Sequence, residues 1–151
     1  MDVPAPVDLA RMKHILAGME DIPLRLQMQE TETELVFPTS TAAVFINLHN
    51  PSILQIRGQW RGIVEDDEDF SELVQQVHNC NVYRSGPKAY LLPLGDGLRY
   101  GLGAETNLVV NHGASDAQLQ NFYEVTLTMI FGFFNDVANA MPQLVTWEEQ
   151  P

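Results

Sequence analysis

The chain has 151 residues, 45% hydrophobic and 19% charged, enough apolar material for one core and too much for a disordered chain. Twenty acids against eight bases give a net charge of −12, which argues against nucleic acid or an anionic membrane as partner, since both need clustered Lys and Arg. A single cysteine, Cys80, excludes an intramolecular disulfide, and no apolar run approaches the roughly 18 residues of a membrane-spanning helix.

Met1 to Pro6 carries Asp2 and two prolines, not the basic region and apolar core of a signal peptide, so residues 1–7 read as the loose start of a cytoplasmic protein. Asp8 caps a short predicted helix reaching Met19, with Leu9, Met12, Ile15, Leu16 and Met19 as its apolar stripe. Ile22 to Met28 alternates strictly and predicts a strand, with Pro23 suiting an edge. Glu30 to Glu34 reads as a polar turn, and Leu35-Val36-Phe37 as a short strand stopped by Pro38. Ala42 to Leu48 is apolar on both faces, as a central strand is.

The chain organises itself around Ile53 to Asn81. Leu54, Ile56, Trp60 and Val64 fall on one face of a period-two strand, with Gln55, Arg57, Gln59 and Arg61 on the other. After the acidic run Glu65 to Asp69 the period changes. Phe70, Leu73, Val74 and Val77 form the stripe of a helix over Asp69 to Cys80. Ser85-Gly86-Pro87 turns the chain, and a hairpin joins Ala89 to Leu94 with Leu98 to Val110 across Gly95-Asp96-Gly97. Glycines at 101 and 103 leave the polar face of its second arm low.

Ser115 with Gln118 makes a capping box for a final helix from Asp116 to Ala140, about 37 Å long and ending before Pro142. The order is α-β-β-β-β-α-β-β-α. It describes one α+β domain over residues 1–151, with a mostly antiparallel sheet, helices on its dry face and a loose tail at 143–151.

Gly113-Ala114-Ser115-Asp116-Ala117-Gln118-Leu119 resembles the Gly-x-Ser/Thr-Asp-x-Gln-Leu helix start of YbjN-domain proteins, bacterial proteins described as sensory transduction regulators. The phenylalanine-rich last helix with Pro142 beyond it, and Ile56-Arg57-Gly58-Gln59-Trp60-Arg61, are similar to the same family, over about Ala5 to Pro142. The resemblance implies a fold like that of type III secretion chaperones, compact α/β domains that dimerise and hold protein segments. It brings no catalytic residue and no cofactor.

The residues themselves point away from catalysis. The acidic run lacks the spacing and central glycine of a calcium loop and suits a helix start. His14, His49, His78 and His112 show no zinc-ligand spacing, and only His112, in a loop beside Gly113, is kept as a weak site candidate. Cys80 has no neighbouring base and reads as an inert thiol. Arg57 and Arg61 share the wet face of one strand, which is either a solvated surface or a stripe for an acidic protein segment.

On the last helix, the row Tyr123, Ile130, Phe134 and the row Phe122, Met129, Phe133 lie to neighbouring sides. One sheet face cannot cover both, so a homodimer through this helix is expected. The alternative is that Leu9, Met12 and Leu16 of the first helix cover the flank. Function reads as a non-enzymatic interaction module, regulatory or chaperone-like. The second reading is a small-ligand sensor using a groove between sheet and last helix.

Overall fold

The computed structural model describes residues 3–19, 28–95 and 97–147. Its elements are α1 (Leu9–Ala17), β1 (Gln29–Glu30), β2 (Glu34–Pro38), β3 (Ala42–Asn47), β4 (Ile53–Trp60), α2 (Asp67–Tyr83), β5 (Lys88–Leu94), β6 (Arg99–Val109) and α3 (Asp116–Ala140), followed by a 3-10 turn at Pro142–Leu144. The six strands form one antiparallel sheet in the order β1-β2-β3-β4-β6-β5. This is the predicted α+β class and order. The strand expected at Ile22 to Met28 lies outside the described residues except for Met28. Glu30, assigned to a turn for its polarity, instead pairs with Leu35 in the two-residue β1.

β4 lies between β3 and β6, and its alternation gives it one buried row. Leu54, Ile56 and Trp60 are 0, 0 and 2% exposed, and Gly58 completes the inward row. A side chain at Gly58 has no room: its Cβ would lie 2.8 Å from Ile130 Cγ2 and 2.9 Å from Phe134 Cε2. Here α3 comes down onto the sheet.

α3 starts and ends where the sequence places it. The Ser115 hydroxyl accepts from the Gln118 N–H while the Gln118 amide oxygen accepts from the Ser115 N–H. Along its N-terminal half, Leu119 and Tyr123 share a core with Leu9, Met12, Ile15 and Leu16 of α1. Along its C-terminal half, Phe133, Phe134 and Val137 pack with Leu73 of α2, Trp60 of β4 and Leu144 of the 3-10 turn. The helices therefore lie on one face of the sheet, and α1 covers the side of α3 that carries Leu119 and Tyr123.

The chain ends, expected loose, are tied down where they are described. Ala5 and Ala114 exchange main-chain hydrogen bonds at 3.1 and 3.0 Å. Gly113, at φ +81°, lets the Ala5 backbone approach where a Cβ would lie 2.7 Å from the Ala5 carbonyl oxygen. Arg11 then binds the Ala5 carbonyl and the Asp116 carboxylate. At the other end Trp147 meets Trp60 edge-on, ring centres 5.6 Å apart. Both terminal stretches carry apolar residues that the core can accept.

Candidate interaction surfaces

The wet face of the sheet is a closed polar network. Arg57 stacks over the Phe45 ring at 4.0 Å and stands opposite Glu105 across the β4–β6 pair. The Tyr90 hydroxyl interacts with both Arg57 and Glu105. The Gln55 amide donates to Glu105 at 2.8 Å and to the Asn107 side chain at 3.1 Å, and accepts from Asn47 at 2.9 Å. The bare strip at Gly101 and Gly103 is partly filled by Tyr90, whose ring lies across Gly103. Arg61 turns aside to the Thr39 carbonyl, with bonds of 3.1 and 2.6 Å. The two arginines thus share a side of the sheet, but each is engaged by its own chain and they form no open stripe.

Tyr123, Ile130 and Phe134 are 3, 0 and 1% exposed and face the sheet, so an interface through them has no surface to use in the folded chain. Phe122, Val125 and Met129 of α3 lie nearer the surface. With the end of β6 they line a groove of about 340 Å³, to which Gly113, Ala114 and Gln118 also contribute. Thr106, Leu108 and Val109 form its sheet wall, and a Thr106–Thr126 hydroxyl pair bridges the two walls. Among the described residues that line it, none is charged. Sequence pattern points to a groove beside the last helix but not to this stretch of it. Its position depends on how far β5 extends along β6.

The remaining candidates stay apart. His14, His78 and His112 are exposed, and His49 contacts Thr33 and Glu34 at 2.9 and 3.4 Å. The acidic run serves the helix start, since the Asp66 carboxylate accepts from the Asp69 N–H at 2.8 Å. Among the described residues no three His, Cys, Asp or Glu side chains gather as metal ligands. Cys80 is 2% exposed, and burial holds its thiol above the ordinary value, with Arg84 pulling less strongly the other way. No helix among the described residues is long and apolar enough to cross a membrane.

Residues 8–139 match the YbjN family model, described as "Putative bacterial sensory transduction regulator". No curated protein matches the sequence. Among solved structures, that of YbjN from E. coli, "a putative transcription regulator", superposes with a TM-score of 0.73 at 18% identity, covering 93% of this chain and 97% of that one. At that identity the superposition speaks for the fold alone. The match along residues 8–139 is the broader finding: this chain belongs to the YbjN family.

Proposed function

We propose that the chain is a non-enzymatic regulatory module of the cytoplasm that works by holding a segment of another protein in the groove between β6 and α3. One observation carries this reading. A protein of net charge −12 keeps an open groove whose described lining is uncharged and whose walls include Leu108, Phe122, Val125 and Met129. Burial of such a surface by a partner is favourable in proportion to the apolar area covered. A chaperone-like role fits the same surface; a homodimer through these residues would have to overcome the repulsion of two chains of charge −12.

Val125 is 46% exposed, so Val125→Arg places a charge in the groove without disturbing the core. Captured proteins from the native host, compared between wild type and this variant, should include a near-stoichiometric partner that the variant loses. Identical captures would remove the groove from the function. The second reading, a small-ligand sensor, is favoured by the groove's volume, which falls in the lower range of ligand sites. A small molecule retained by the wild type and released by the variant in native mass spectrometry would support that reading.

A further inference from the structure

β5 accompanies β6 only as far as Lys88, which stands opposite Glu105, whereas β6 runs on to Val109. Even-numbered residues of β6 turn their main-chain groups toward the β4 side. Val110 donates to the Ser52 carbonyl at 2.8 Å, and Tyr100 exchanges bonds with Val64 at 2.9 and 3.1 Å. The direction alternates along an antiparallel strand, so Asn107 and Val109 turn their groups toward the lane that β5 occupies farther up. Beyond Lys88 no described strand pairs with β6 on that side. Among the described residues nothing bonds the N–H and C=O groups of Asn107 and Val109.

Elsewhere the molecule guards this side of the sheet. The Asn81 side chain, reaching over from α2, donates to the Ala89 carbonyl at 3.0 Å and accepts from the Ala89 N–H at 2.8 Å. Pro93 has no N–H, and Lys88 sets a charge at the start of β5. Asn107-Leu108-Val109 has no clamp, proline or charge, and Val109 is 66% exposed.

We propose that this edge accepts an extended segment of another protein as an added strand. Its main chain bonds Asn107 and Val109, and an inward side chain enters the groove against Phe122, Val125 and Met129. The inference rests on the groove reading above and adds how the partner is held. The uncharged lining selects an apolar anchor, and the −12 charge of the chain selects neutral or basic flanks. Self-complementation by a second copy would bring a second −12 charge to the same place, which disfavours it.

The test is selection of linear seven-residue peptides from a random phage-displayed library on the wild-type protein, followed by N-methylation of each peptide bond of the binders in turn. Strand addition predicts an apolar anchor without acidic flanks, and losses of about tenfold at alternate positions, the worth of a main-chain hydrogen bond. Val109→Pro, which removes an outward N–H and no inward bond, should weaken binding by a similar factor. Binders that tolerate methylation at every position overturn strand addition, and if Val125→Arg still abolishes their binding the groove reading survives alone. Selection of no peptide overturns the proposal. Self-association lost on Val109→Pro also overturns it, by making the occupant a second copy.

Discussion

Gly58 is the residue on which the distance between sheet and long helix depends. A valine there would need space already held by Ile130 and Phe134, which are 0 and 1% exposed and closed in on all sides. Gly58→Val should therefore destabilise the protein by about 1–3 kcal/mol, the usual cost of overfilling a packed core. Urea denaturation of the variant checks this, and an unchanged midpoint would mean that α3 lifts freely. Sequence alone shows that position 58 lies on the inward face of its strand. It does not show that a helix needs the place, because a glycine between Ile56 and Trp60 reads equally well as a bulge. The same limit applies to Arg57: its face follows from alternation, but its stacking on Phe45 and its place opposite Glu105 follow from strand registers that local pattern does not encode.

Elements were more legible than contacts. The period change from β4 to α2 and the capping box of α3 are local signals, and both survive in the fold because the tertiary structure agrees with them. Glu30 was illegible because a two-residue edge strand has no pattern to show. The groove was illegible for another reason: it arises where β5 ends and β6 continues, a mismatch between two strands distant from α3 in sequence. Asn81 belongs to this scale as well. On a helix its side chain looks like ordinary surface, yet it closes both main-chain groups of Ala89 on the outer edge of β5. Asn81→Ala should cost about 1–3 kcal/mol through the groups it leaves unpaired, with a larger tendency to aggregate through the opened edge. Thermal unfolding and light scattering together test this; a variant as stable and as soluble as wild type would reduce the clamp to a surface contact.

For the molecule as a whole, the sequence carried the class, the order of elements and the family, while of the two neighbouring rows on α3 the one through Tyr123, Ile130 and Phe134 is buried, as is Phe133 of the other. Tyr123, Ile130 and Phe134 are aromatic or aliphatic at helical spacing, and so are Phe122, Val125 and Met129; the first row is buried because Tyr123 packs with α1 while Ile130 and Phe134 meet the sheet at Gly58. Burying Tyr123 has a consequence for pH. Burial lifts its hydroxyl above the ordinary 10.0, burial with Glu105 does the same for Tyr90 against the opposing Arg57, and burial lifts Cys80 above 9.0. In each case the fold favours the protonated form, so its stabilising contribution is complete below the ordinary value and declines as pH rises beyond it. The urea midpoint should hold up to about pH 9 and then fall, less steeply in Tyr123→Phe. A midpoint that stays level to pH 11 in the wild type would contradict this account.

The contact between Trp60 and Trp147 gives the molecule a built-in optical reporter. These are the only two tryptophans in the chain, and they meet beside the C-terminal half of α3, whereas the groove runs along its N-terminal half. Intrinsic emission therefore follows the docking of the segment after α3 onto β4, and is spectroscopically blind to what happens beside β6. A shift in tryptophan emission when a peptide is added would signal movement carried along α3, and its absence would mean that the two ends of the helix act as separate neighbourhoods.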